Sequence, residues 1–273
     1  MSKLKKNLFT AFGGFLVLLF LSPLYIVFTN SFKSQKGIVI DSLGLPFGEY
    51  FRPENYIQAF EELKFVRSFI NSLAITVSGT IIIIIFASMA AWMLVRSKSK
   101  FSGFLFMMFA AAMLIPFQSV MLPLINLMGK LNMLHPAGLV FMYLGFGSSL
   151  SIVLYHGFIK GIPRELEEAA VIDGCNTFQV FWYIVFPLLK PITVTVSILN
   201  AMWIWNDFLL PQLVINKPEW HTIPLRMFYF FGQYSKKWFL ALPGLVIAMI
   251  PIVIFYIIAQ KHIVKGVTQG SIK

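Results

Sequence analysis

Charged residues divide this chain into long apolar stretches. Residues 7–32 form an uncharged run of 26, 68–95 a run of 28, 101–129 and 131–159 runs of 29 each, and 238–260 a run of 23. A helix needs about 20 apolar residues to cross the hydrocarbon core of a bilayer, so each run predicts one span. A sixth stretch, about 188–211, carries Lys190 near one end and Asp207 near the other. Between them lie Ile192, Val194, Val196, Ile198, Leu199, Met202, Trp203, Ile204 and Trp205. It predicts a membrane helix with a polar feature. The expected architecture is all-α: a polytopic membrane protein with six transmembrane helices, at about 8–29, 69–95, 104–129, 138–159, 188–211 and 239–260. Residues 1–273 are expected to form a single transmembrane domain.

The first run follows Lys3, Lys5 and Lys6 and so resembles a signal sequence. A signal h-region spans only about 7–15 residues, and no A-x-A site follows Phe32, so a retained helix is expected. Short basic flanks set the orientation. Lys3, Lys5 and Lys6 precede the first span, Arg96, Lys98 and Lys100 fill the loop after the second, and Lys261, Lys265 and Lys273 follow the last. With six spans these groups fall on one side, which the positive-inside rule makes the cytoplasm. Both termini are then cytoplasmic, and the loops at about 33–67 and 212–237 face outside. Pro116 and Pro123 share one predicted helix with Gln118, Ser119 and Asn126, which suggests a bent helix beside a polar pathway.

Composition agrees with a bilayer. Hydrophobic residues make up 58% and charged residues 12%, about half the charge of an ordinary soluble domain. A soluble single-domain enzyme and a disordered chain are both excluded. The net charge of +11 belongs to cytoplasmic loops, not to a nucleic-acid surface. Cys175, the one cysteine, allows no internal disulfide.

Catalytic and nucleotide motifs are missing. No histidine pair has H-E-x-x-H spacing, and no G-x-x-x-x-G-K-[ST] loop is present to cradle ATP phosphates. Gly145-Phe146-Gly147 lacks a third glycine and reads as close helix packing. If the protein does energised work, the energy source is expected on another chain.

The stretch from Gly161 to Gly174 has a readable local physics. Pro163 suits the start of a helix. Glu165, Glu167 and Glu168 fall in the first turns, where negative charge complements the helix dipole. Asp173-Gly174 is a stop signal with a left-handed glycine cap. A second helix is expected from Asn176 or Thr177 through Phe178, Val180, Phe181 and Ile184 to Pro187. This pair, about 161–187, is too short to span and should lie on the cytoplasmic face, offering Ala169 and Ala170 as a smooth surface with Glu168 at its rim.

The spacing resembles the EAA loop of binding-protein-dependent ABC importers, E-A-A-x3-G-x9-I-x-L-P. Glu168, Ala169, Ala170, Gly174, Ile184 and Pro187 stand at the matching positions, with Phe186 in place of the usual leucine. Trp205-Asn206-Asp207-Phe208 is similar to a run in the fifth helix of carbohydrate permeases. The ending Gly266-Val267-Thr268-Gln269-Gly270-Ser271-Ile272-Lys273 resembles that of maltose-type permease subunits. The resemblance implies the type I ABC-importer permease fold, with one wall of a translocation pathway formed by this chain. It implies a second, related permease subunit, two cytoplasmic ATPase subunits, an extracytoplasmic sugar-binding protein and a sugar substrate in a bacterial inner membrane. ATP and magnesium would sit on the ATPase, with no cofactor on this chain, and the EAA loop would dock into the ATPase.

Candidate pathway residues are the polar groups within spans: Gln118, Ser119, Asn126, Ser148, Ser149, Ser151, Asn200, Asn206 and Asp207. Asn206, Asp207 and Gln118 are the ones carried forward. Two other readings stay open. An ABC permease for a non-sugar solute would share everything except the fifth-helix run and the tail. A proton- or sodium-coupled transporter would need several buried ionisable groups and internal repeats, whereas Asp207 is the one acidic residue within a predicted span.

Overall fold

The computed structural model describes residues 3–97, 99–231 and 236–271. Lys98, Ile272 and Lys273, which entered the reading of charge and of the C-terminal run, lie outside them. All regular structure among the described residues is helical, apart from isolated bridges pairing Lys33 with Phe51 and Phe231 with Lys236. The chain runs as α1 (Lys3–Asn30), α2 (Gln35–Ile40), α3 (Asn55–Glu62), α4 (Phe65–Arg96), α5 (Lys100–Ala112), α6 (Phe117–Lys130), α7 (Pro136–Ile159) and α8 (Glu165–Ile172). It continues as α9 (Thr177–Gln179), a π turn over Val180–Val185, α10 (Phe186–Leu188), α11 (Lys190–Asn206), α12 (Leu209–Val214), α13 (Ile223–Phe228) and α14 (Trp238–Ser271).

Four helical stretches are long and apolar enough to cross a bilayer unbroken: Asn7–Asn30, Phe65–Arg96, Pro136–Ile159 and Trp238–Gln260. Two further crossings are bent pairs. α5 and α6 meet at 106°, and Thr177–Leu188 meets α11 at 79°. Counting each pair as one span gives six. The third predicted span, 104–129, is therefore not one helix. Pro116 has no amide hydrogen and disfavours helical geometry in the residue before it, so the chain breaks between Ala112 and Phe117. The fifth span, 188–211, ends its regular helix at Asn206, where Asp207 turns extended with ψ 131°.

Contacts divide the chain into two compact units, residues 1–67 with 226–251 and residues 68–225 with 252–273. In the first, α1 has none of its membrane window buried, and Phe12, Phe15, Leu18 and Phe20 are exposed. A helix so apolar and so exposed is built for lipid or for another chain. The C-terminal end of α1 is tied down: Ser31 Oγ and Tyr56 Oη are 2.7 Å apart, and Asn55 Nδ2 donates to Lys33 O at 2.9 Å. Near Pro243, Gly244 brings α14 so close to Phe230 and Met227 that a Cβ would lie 2.9 Å from the Phe230 ring.

In the second unit α7 is the central helix. His135 caps it and Pro136 opens it. Leu139, Tyr143, Tyr155 and Ile159 are fully buried along it. Small residues permit the close approaches. A Cβ on Gly147 would lie 2.4 Å from Ile83 Cδ1 and 2.7 Å from Asn200 Oδ1, so α4 and α11 both press on α7 there. Its neighbour Gly145 faces open space, which confines the expected packing contact to Gly147.

Candidate functional site

The loop at 161–187 folds as the predicted helix pair. Glu165, Glu167 and Glu168 occupy the first turn of α8. Its end is a full Schellman closure: Cys175 N donates to Ala170 O and Gly174 N to Val171 O, both at 3.0 Å. Gly174 takes φ +90°, the left-handed conformation that the Asp-Gly pair called for. Asn176 opens the next helix with a reciprocal cap, accepting from Gln179 N at 3.0 Å while its own N–H donates to Gln179 Oε1 at 2.9 Å. The π turn follows, a widened turn of a kind found often at functional sites. It buries Val180, Phe181 and Val185.

Helical spacing decides which residues of the loop face outward. Positions 167 and 170 are three apart and share one face of α8. Glu167 is 8% and Ala170 5% exposed. Ala170 therefore packs into the core of its own unit, and does not offer the outward surface predicted for it. Ala169, Glu168, Gly174 and Pro187 are exposed and Ile184 is half-buried. Val171, Ile172, Phe178 and Tyr183 add an exposed apolar surface around them. Glu168 pairs with Arg164 at 3.1 Å, an open ion pair worth little by itself. A cleft of ≈ 440 Å³ runs beside α8 between Trp92, Glu168, Ile172 and Thr177.

The buried Glu167 carries an interaction that sequence reading missed. Its Oε1 accepts from Arg96 Nε at 2.8 Å and lies 2.7 Å from Arg96 Nη2. Its Oε2 accepts from Trp92 Nε1 at 3.0 Å. Arg96 Nη2 also donates to Ile162 O at 3.0 Å. The last turn of α4 thus grips both the carboxylate of α8 and the chain leading into it. At the other end of α4, Asn71 Nδ2 donates to Glu219 O and His221 O, at 2.9 and 3.1 Å, and Ser72 Oγ accepts from Ile223 N. The 161–187 and 219–223 segments are held at opposite ends of one helix. Three glutamates within four residues read alike in sequence. The 3.6-residue period marks Glu167 as the inward one only once Ala170 is known to face the core.

The polar groups in the spans separate into two kinds. Asn200 is buried on α11, donating to Ser151 Oγ of α7 at 3.0 Å and to Val196 O at 2.9 Å, and Ser151 Oγ donates to Gly147 O. Tyr155 Oη donates to Thr193 Oγ1 at 3.0 Å. These bonds tie α7 to α11. Asp207 joins the same set: Tyr143 Oη donates to its Oδ2 at 2.8 Å, and Leu209 N to its Oδ1 at 3.1 Å. The carboxylate fixes the break between α11 and α12 to α7. Asn206, by contrast, is exposed and returns its amide to Met202 O at 2.7 Å. Gln118 is exposed near the start of α6. Beside these helices lies a cavity of ≈ 780 Å³ walled by Phe117, Phe146, Ser148, Ser149, Asn200 and Trp203. Trp203 stands edge-on to the Tyr143 ring, with centroids 5.3 Å apart. Among the described residues no cluster of three His, Cys, Asp or Glu side chains could hold a metal.

Residues 79–269 match the family model described as "Binding-protein-dependent transport system inner membrane component". The chain is 50% identical to the probable starch degradation products transport system permease protein AmyC of Thermoanaerobacterium thermosulfurigenes, over 98% of this chain and 97% of that one. It is 34% identical to the multiple sugar-binding transport system permease protein MsmG of Streptococcus mutans, covering 96% and 94% of the two chains. The melibiose/raffinose/stachyose import permease protein MelC of Bacillus subtilis is also 34% identical, over 92% and 91%. A crystal structure of a bacterial ABC transporter involved in the import of the acidic polysaccharide alginate holds a chain of the same fold. It superposes with a TM-score of 0.77 at 22% identity, covering 96% and 98%.

Proposed function

The chain belongs to the family of inner-membrane components of binding-protein-dependent transport systems, and from that membership we propose that it is the six-span permease subunit of an ATP-driven sugar importer. The relatives named for starch products, multiple sugars and melibiose, raffinose and stachyose support a carbohydrate cargo. In this reading residues 1–273 work as one permease domain in a bacterial plasma membrane, with both termini cytoplasmic. Its partners are a second permease subunit, two cytoplasmic ATPase subunits that carry ATP and magnesium, and an extracytoplasmic sugar-binding protein. This chain holds no cofactor of its own.

The observation that carries the coupling role is the pairing of an outward face with an inward grip on α8. Glu168, Ala169 and Gly174, with Val171 and Ile172 beside them, form an exposed contact surface, and Ile184 and Pro187 close the loop's second helix. Glu167 fastens that surface to α4. ATP closes the ATPase pair and draws the loop with it. The attached helices rock, the pathway opens outward, the binding protein releases sugar, and hydrolysis resets the assembly. On the pathway side Trp203 supplies a ring face and Asn200, Ser148 and Ser149 supply polar edges around the cavity. Gln118 and Asn206 are exposed polar groups that can join this wall, and Asp207 holds its outer end in shape.

Purification of the tagged chain from its native membrane is expected to bring down a second permease and an ATPase. The complex in vesicles is expected to hydrolyse ATP faster when loaded binding protein is added. A transport-competent complex built from this chain alone would overturn the reading.

A further inference from the structure

The segment after α1 combines two features that water does not explain. Its apolar side chains point outward: Val39 is 74%, Leu43 68% and Phe47 74% exposed, while the exposed Asp41 turns its carboxylate back onto the loop, Oδ1 accepting from Gly44 N at 2.9 Å. Its carbonyls point inward, and four in succession are each met by a side-chain donor. Lys33 Nζ donates to Asp41 O and, at 2.7 Å, to Gly44 O. Asn30 Nδ2 donates to Ser42 O at 2.6 Å. Tyr25 Oη donates to Leu43 O at 3.0 Å. Such donors on four successive carbonyls leave this stretch of backbone satisfied without solvent. In hydrocarbon an unmet carbonyl is costly, and irregular backbone survives only when its polar groups are satisfied from within. The lysine that does this is 1% exposed.

Depth points the same way. The span Asn7–Asn30 has its midpoint near residue 18, so Tyr25 lies about 10 Å outward of it, inside a half-thickness of about 15 Å. Leu43, bonded to Tyr25, is carried to that depth. Leu24, Tyr25 and Phe28 on α1 are exposed as well, and Tyr25 meets the loop at Leu43. We propose that residues 38–47 form a re-entrant anchor seated in the outer leaflet of the bilayer, apolar side chains toward lipid and carbonyls closed by Tyr25, Asn30 and Lys33. The occupant of this face is lipid, not the binding protein or the partner permease. The inference rests on the extracytoplasmic placement of 33–67 in the reading above.

Spin labels test it. Single cysteines replace Val39, Leu43, Phe47 and, as a water-exposed reference, Glu61, all in a Cys175→Ser background. The full transporter complex is reconstituted in phosphatidylethanolamine–phosphatidylglycerol vesicles with binding protein absent and then present. Labels at 39, 43 and 47 are expected to relax several-fold more with oxygen, which partitions into lipid, than with a water-soluble nickel chelate. At 61 the order is reversed. Nickel collision at 43 and 47 equal to that at 61 would show a loop in water and overturn the proposal. Exclusion of both reagents would show a protein cover and overturn it equally. Label accessibility reports location, so a failure here is separable from a failure of the transport reading, which wild-type uptake tests.

Discussion

Arg96→Met is the most informative single change. It removes both guanidinium contacts to Glu167 and the bond to Ile162 O, leaving a carboxylate in a residue 8% exposed with one indole donor, Trp92. Stripping one partner from a buried pair costs about 3–5 kcal/mol. The Arg96 side chain keeps 17% of its surface open to solvent, so the lower end, about 3 kcal/mol, is expected here. That is about two decades in the equilibrium between a seated and an unseated α8. Glu167→Leu leaves the guanidinium with Ile162 O and a path to water, and costs less. The double variant removes both charges and is expected to recover about 1.5–3 kcal/mol relative to the sum of the singles. The assay has two readouts on the purified complex: thermal unfolding at fixed concentration, and sugar taken up per ATP hydrolysed in vesicles. Arg96→Met is expected to lower both, with the second permease still bound. Additive stability effects, together with unchanged uptake per ATP in both single variants, would refute the idea that this pair seats the loop.

Four further outcomes are expected. Gly174→Val forces a β-branched side chain onto φ +90°, at a cost of at least about 1–2 kcal/mol, and should separate ATP hydrolysis from uptake in the same vesicles. Ala169→Asp, on the exposed face of α8, should reduce ATPase retention during size-exclusion chromatography without affecting membrane insertion. Gly147→Ala places a methyl 2.4 Å from Ile83 and should lower stability by about 1–3 kcal/mol, read as a fall in melting temperature. Tyr143→Phe and Asp207→Ala should lower uptake to similar extents and combine non-additively, because each removes the same bond between α7 and the α11–α12 break.

Much of this architecture is legible in the sequence. Uncharged runs longer than a bilayer requires located α1, α4, α7 and α14, and Pro163 with Asp173-Gly174 bounded α8. The sixfold count survives with two crossings bent. Apolarity alone does not distinguish one straight helix from two short ones meeting at Pro116, since both remove the same residues from water. The motif spacing names positions without giving a rotational phase, so it does not tell that Ala170 faces inward. Only the packing of Glu167 and Ala170 supplies that phase. Arg96 counted in the sequence as one more cytoplasmic base, and its partner lies 71 residues away, a separation that no local pattern encodes. Asp207 stands out in the sequence as the one acidic residue within a predicted span, a pattern that does not reveal its partner. Its bond to Tyr143 shows a group occupied in joining helices.

α4 holds one polar contact set near each of its ends. Between Asn71 and Arg96 there are 25 helical steps, about 37 Å, and no proline interrupts them. Sharp bends in helices arise at prolines, π turns, inserted groups or Gly/Ser pairs; α4 has no proline and stays regular through its one Gly/Ser pair, Ser78-Gly79. Such an element behaves as a connecting rod. A shift of α8 that carries Arg96 with it is expected to reach the 219–223 segment at the other end of the helix. The timing of events at the two faces would then be set by a single rigid part, without any relay of successive side-chain rearrangements through the core.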